Sequence, residues 1–150
     1  MTDSDSKLAD LLYPLFSRLP VDTVYLYGSR INGKSDKLSD YDFAIIFSQK
    51  LSEQKRFDLR LKLFGDIAER IGVKEDYIDV VDADEVSLLL QFNAICGKII
   101  YNKNEERRIM FETYVMSRYH DEHYYYDRFL QETIGKIKKG VYFDRPISYT

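Results

Sequence analysis

The sequence predicts an α/β (α+β) fold: a small mixed sheet with flanking helices, packed mainly on one face, and a long C-terminal helix. Three observations lead there. Short β-branched and aromatic runs alternate with segments of helical period, in the order helix, strand, strand, helix, strand, helix, strand, helix. Helical spacing then persists without a break from residue 104 to about residue 140. Finally, 150 residues at 45% hydrophobic and 31% charged make one ordinary domain, large enough to bury a core without disulfides or metal. The expected organisation is a single domain over 1–150, with a core at about 20–103 and a helical extension at about 104–140.

Ser6 to Leu19 places Leu8, Leu11, Leu12, Leu15 and Leu19 at helical spacing. Pro14 lacks an amide donor, so a kink or two short pieces are expected there, and Pro20 closes the segment. Val21–Tyr27 (VDTVYLY) and Tyr41–Phe47 (YDFAIIF) read as buried strands, joined by a polar loop over 28–39. Ser52 caps a helix to Ile71 with the stripe Phe57, Leu61, Phe64, Ala68 and Ile71, and Gly72 takes the residue beyond its end. Tyr77–Val81 (YIDVV) is a third strand. Asp84 is placed to cap a helix from Glu85 to Cys96, ended by Gly97, and Lys98–Tyr101 is a short fourth strand. Asn104 caps the last helix. Glu105 and Glu106 suit its positive N-terminus, and Lys136, Lys138 and Lys139 its negative C-terminus.

Twenty-two basic against 25 acidic residues leave a net charge of −3, so no basic excess points to direct nucleic-acid binding. Cys96, the one cysteine, excludes an intrachain disulfide and suits a reducing compartment, the cytoplasm. It is expected as a small core hydrophobe near a helix end. The N-terminal MTDSDSK has no apolar stretch of the kind a signal peptide needs, and no apolar run is long enough to span a membrane.

The informative stretch is Gly28 to Phe47, GSRINGKSDKLSDYDFAIIF. Residues i and i+2 of a strand point to one face, so Asp40 and Asp42 set two carboxylates side by side. Unpaired, they repel each other and resist ionisation, and a divalent cation relieves both effects. Hard oxygen ligands suit Mg²⁺, which usually binds one or two carboxylates together with substrate phosphate oxygens. Gly28, with no Cβ, lets a phosphate approach the backbone, and Ser29 offers an amide and a hydroxyl to phosphate oxygens. Arg30, Lys34 and Lys37 are unranked candidates for meeting a triphosphate. Asp79 interrupts the apolar run YIDVV, where a charge is costly unless paired or metal-bound. If that strand lies beside Asp40 and Asp42, three carboxylates converge as two-metal phosphoryl transfer requires. Asp79 is then placed to accept the nucleophile's proton. Asp76 and Asp82 stay open as alternatives for the third acid. A Gly-Ser pair at a fixed distance before Asp-x-Asp arises by chance in roughly one chain in 10³ of this length.

Gly28-Ser29, ten intervening residues, Asp40-x-Asp42 and a later strand aspartate resemble the signature of the DNA polymerase β-like nucleotidyltransferase superfamily. The short chain and the run SDYDFAIIF look most like the minimal nucleotidyltransferases known as MNT or MntA-type antitoxins. The resemblance is specific over Val21 to Asp82 and loose beyond. It implies a minimal nucleotidyltransferase fold with Gly28, Ser29 and Arg30 binding nucleotide phosphates. It makes Asp40, Asp42 and Asp79 catalytic and metal-binding, with ATP as substrate and Mg²⁺, two ions, as cofactor. It further implies a hetero-oligomer with a cognate HEPN ribonuclease toxin, silenced by transfer of AMP to a toxin tyrosine. Many relatives read Gly-Ser-x-Ala-Arg-Gly where this chain has Asn32 in fifth place, so Arg30 or Lys34 has to stand in for that arginine. A small-molecule nucleotidyltransferase of the aminoglycoside-modifying kind is the alternative. Against it, about 50 residues after Tyr101 leave little room for a separate substrate domain. Neutralisation by occlusion alone is a third possibility.

Arg118, four residues, His123, then Tyr125 formally fits the Arg-x₄-His-x-Tyr motif of HEPN ribonucleases. One helix cannot build the bundle such a site needs, so a polar, tyrosine-rich face is the expected reading, with His120 and His123 as surface groups. The run Tyr124-Tyr125-Tyr126 combines apolar bodies with polar tips and suits a contact surface.

Overall fold

The computed structural model describes residues 3–28 and 40–139. The elements are α1 (Asp3–Phe16), β1 (Val21–Tyr27), β2 (Tyr41–Phe47), α2 (Glu53–Ile71), β3 (Ile78–Asp82), α3 (Leu88–Ile95), β4 (Lys98–Asn102) and α4 (Glu105–Lys138), with a 3₁₀ turn at Glu75–Tyr77. The sheet order is β3-β2-β1-β4. β1 runs antiparallel to β2 and β4, while β2 and β3 are parallel, so the sheet is mixed as expected. The parallel pair requires a crossover, and α2 supplies it.

β1 is buried along its whole length because it is central and covered on both faces. Val24 and Leu26 join Phe43, Ile45, Val80 and the α1 and α2 residues Leu12, Phe16, Leu63 and Ile67 in one core layer. Tyr25 and Tyr27 point the other way and join Ala44, Ile46, Ala94, Phe111 and Val115 in a second. Each such fully buried large side chain contributes about 1.5–3 kcal/mol. The expectation of helices mainly on one face is therefore corrected: α1 and α2 cover one face, α3 and the first half of α4 the other.

The caps of α2 and α4 are as the sequence predicts. Ser52 Oγ accepts from the Lys55 amide at 3.3 Å, and Gly72 adopts φ +84° beyond the end of α2. Asn104 Oδ1 accepts from the Arg107 amide at 3.1 Å. α1 starts earlier than expected and runs through Pro14 without the expected break; only Leu15 and Phe16 of the helix lie beyond the proline, so a bend there displaces little of it. α3 starts at Leu88 and not at Glu85. Ser87 caps it, while Asp84 instead accepts from Arg107 of α4 at 2.9 Å. The core-facing stripe of α2 is Leu63, Ile67 and Ala68, and Phe57 and Leu61 are exposed. Cys96, expected in the core, is exposed at the C-cap of α3, because Ala94 and Gly97 take the places against β1. No helix of the described residues is long and apolar enough to cross a membrane.

Candidate active site

The end of the sheet where β1 stops and β2 and β3 begin gathers the acidic residues. Strand register decides their placement. Asp42 lies opposite Tyr27 on the antiparallel side and opposite Asp79 on the parallel side. Asp42 shares its face with Ala44 and Ile46, so the Asp42–Asp79 pair opens on the face that α3 and α4 cover. Asp40 immediately precedes β2 and is exposed, Asp42 is half-buried and Asp79 exposed. Burial first, then the charges of Asp79 and Asp40, hold the Asp42 carboxyl above the usual carboxylate range. Tyr27, read from the sequence as a plain strand residue, borders the same pair. Burial and then the charges of Asp42 and Asp79 push its phenol upward, so it stays protonated. Only the cross-strand register, which a single sequence does not carry, reveals it.

Gly28 ends β1 with φ +88°, a conformation that side chains rarely adopt. A Cβ there would collide with Oδ2 of Asp42. The glycine thus makes room for the carboxylate, a role the sequence did not indicate. Gly28→Ala should cost about 1–3 kcal/mol of stability through backbone strain. It should also displace Asp42 and lower nucleotide transfer. Urea unfolding and a transfer assay on the same preparation check both, and a variant unchanged in both would mean that the turn relaxes freely. Ser29, Arg30, Asn32, Lys34 and Lys37 lie outside the described residues.

Asp82 faces the other way. It is buried beneath α2, accepts from Arg56 Nε at 3.0 Å and from the Asp84 amide at 3.1 Å, and is 7% exposed. Burial first, with the Asp84 charge, holds its carboxyl above the usual carboxylate range, although the Asp84 amide and Arg56 draw it partly back. Asp76 sits exposed in the 3₁₀ turn. Of the three candidates for the third acid, Asp79 is the one beside Asp42. The donors Asp40, Asp42 and Asp79 are hard oxygens next to a raised carboxyl, which fits a small divalent cation. Among the described residues there is no preformed cage of three or more acidic, His or Cys ligands.

On α4, Arg118 donates to the Tyr114 hydroxyl at 2.9 Å, and the His123 ring stacks on Tyr119 with centroids 5.2 Å apart. Both are engaged in contacts along one helix, as a surface reading of the Arg-x₄-His-x-Tyr pattern expects.

A mixed sheet that sets a positive-φ glycine and facing carboxylates at one end defines a nucleotidyltransferase domain. The profile of the Polymerase beta, Nucleotidyltransferase family matches residues 12–106, and the chain belongs to that family. It is similar to the protein adenylyltransferase MntA of Aphanizomenon flos-aquae (strain 2012/KM1/D3), 28% identical over 103 residues, which are 65% of this chain and 69% of that one. Its fold resembles a chain in a crystal structure of a toxin–antitoxin with AMP-PNP (TM-score 0.60, 19% identity, 84% of this chain and 98% of that one). It also resembles a chain in a structure of the tri-AMPylated Shewanella oneidensis HEPN toxin in complex with MNT antitoxin (TM-score 0.53, 18% identity, 87% and 95%).

Proposed function

We propose that this chain is a cytoplasmic antitoxin that transfers AMP from Mg·ATP to a tyrosine of a cognate HEPN ribonuclease toxin. In this reading one nucleotidyltransferase domain fills residues 1–150, with the core at about 20–103 and a helical extension beyond. The observation that carries the chemistry is the register of β2 against β3, which sets Asp42 beside Asp79 next to the Gly28 turn. The similarity to the adenylyltransferase MntA carries the acceptor class.

Asp40, Asp42 and Asp79 would hold Mg²⁺, two ions in the fullest form of the site. Held by these carboxylates, Mg²⁺ would supply neutralisation of charge on the phosphate oxygens and the departing diphosphate. Gly28, Ser29 and Arg30 bind the triphosphate. The phenolic oxygen of the acceptor forms a bond to the α-phosphorus of ATP as the bond to diphosphate breaks, and diphosphate leaves. A phenol with a pKa near 10 attacks poorly unless its proton is taken up, and Asp79, exposed at the mouth of β3, accepts it. Tyr27, protonated and walled in by the sheet, does not compete as a nucleophile.

The test is labelled ATP with the chain and the protein encoded beside it. The expected result is label on that partner, with a mass gain of one or more AMP units on a tyrosine, dependent on Mg²⁺. Label on an aminoglycoside-like small molecule without a partner would give the small-molecule reading instead. Inhibition of the partner without label transfer would give occlusion.

A further inference from the structure

Tyr25 and Tyr27 point to one face of β1, and both rings enter the same core layer. Tyr25 is fully buried and Tyr27 is 9% exposed. A hydroxyl at such depth normally has a hydrogen-bond partner, because burial without one costs free energy. Tyr25 follows the rule. Its Oη donates to Glu112 Oε1 of α4 at 3.2 Å, and Arg108 holds the other oxygen of that carboxylate at 2.7 Å. Tyr27 does not: among the described residues nothing accepts from its hydroxyl. Nor is that oxygen sealed in the core. The side-chain atoms buried without a partner among the described residues are Nε of Arg107 and Nε of Arg108.

The surroundings of Tyr27 say what its hydroxyl meets. The register sets Tyr27 opposite Asp42, with Asp79 on the far side of Asp42. Side chains stand roughly perpendicular to a sheet, so the longer tyrosine carries its oxygen farther out than the two carboxylates. The turn after α3 packs Gly97 so closely on the Leu26 carbonyl that a Cβ there would collide. Tyr27 is the next residue outward, and the chain then leaves the sheet at Gly28 with φ +88°. The ring is thus held by the core while the hydroxyl lies between the carboxylates and the Gly28 turn. A phenol is protonated at neutral pH and offers its O–H there. The acceptor of matching chemistry is an anionic phosphate oxygen. We propose that the Tyr27 hydroxyl donates a hydrogen bond to a phosphate oxygen of the bound nucleoside triphosphate. The inference rests on the adenylyltransferase reading and gives that site a donor beyond Gly28, Ser29 and Arg30.

Tyr27→Phe keeps the ring and removes only the oxygen. Calorimetry with Mg²⁺ and α,β-methylene ATP, whose α–β bridge resists transfer, should show Kd weakened about 10-fold or more, the scale of one hydrogen bond to a charged group. KM for Mg·ATP should rise by a similar factor with kcat changed much less. The urea midpoint should stay at the wild-type value or above it, since the lost hydroxyl has no protein partner. Tyr25→Phe is the contrast: losing the bond to Glu112 should lower the urea midpoint and leave Kd unchanged. A Tyr27→Phe chain that binds the analogue as tightly as wild type would overturn the assignment. A urea midpoint lowered as in Tyr25→Phe would also overturn it, by making the hydroxyl part of the fold. A wild-type chain that binds no magnesium nucleotide would remove the adenylyltransferase reading itself, and this assignment with it.

Discussion

Replacing Asp40 and Asp42 together by asparagine should abolish nucleotide transfer while leaving a folded protein. The two carboxylates flank the start of β2, and Asp42 faces Asp79 across the parallel register. Losing several kcal/mol of metal-borne charge stabilisation corresponds to at least about 10³-fold in rate. Stability should move the other way. The Asp42 carboxyl titrates above its unfolded value of 3.8, through burial and then through Asp79 and Asp40. For an acid raised in this manner, the native state holds its proton over the window between 3.8 and the raised value while the unfolded chain releases it. Stability therefore falls as pH rises through that window, and the ionised cluster is a net cost at neutral pH. The double asparagine variant should melt at the wild-type temperature or higher at pH 7. The gap should close in acid, where the wild-type carboxylates are protonated in both states. Added Mg²⁺ should raise the melting temperature of the wild type and not of the variant. A variant that melts well below the wild type at neutral pH would make the two aspartates structural.

What the sequence could and could not disclose divides along locality. β1 and β2 were legible to the residue because each is a seven-residue run dominated by β-branched and aromatic residues and bounded by polar or turn residues. Ser52, Gly72 and Asn104 were legible because a cap is decided within four residues. Asp84 misled because it is as good a cap as Ser87, and its recruitment by Arg107, 23 residues on, is invisible locally. In α2 the apolar residues form two overlapping stripes, and contact with the sheet, not spacing, selects the Leu63–Ile67 side over Phe57 and Leu61. Cys96 misled because the sequence does not show which residue of a helix end approaches β1. The same division runs through the candidate site. Strand parity led to the expectation that Asp40 and Asp42 share a face, but β2 begins at Tyr41, so Asp40 precedes the strand and parity fixes only the side of Asp42. The choice between Asp79 and Asp82 needs the β2–β3 register, and the fit of Gly28 against Asp42 needs the turn.

That register makes opposite expectations for the two aspartates of β3. Asp79→Asn should lower the transfer rate by about 10²-fold or more, the usual scale for a positioned base, with a smaller effect on the KM for Mg·ATP. The residue is exposed and its charge is one of those that hold the Asp42 carboxyl up, so its substitution should leave the melting temperature unchanged or slightly higher at neutral pH. If proton acceptance is its task, the rate of the variant should also gain a steeper rise toward alkaline pH, where the acceptor phenol ionises unaided. Asp82→Asn should do the reverse. It leaves the Arg56 guanidinium without its buried partner, although Glu85 still pairs with it at 2.8 Å, so a loss of about 1–3 kcal/mol is expected. Its rate per folded molecule should stay close to wild type, because Asp82 lies on the α2 face of the sheet and Asp42 on the other. Measuring rate and unfolding free energy for both variants separates the roles. A slow, stable Asp82→Asn beside an unimpaired Asp79→Asn would transfer the third-acid role to Asp82 and would require β3 to present its other face to the substrate.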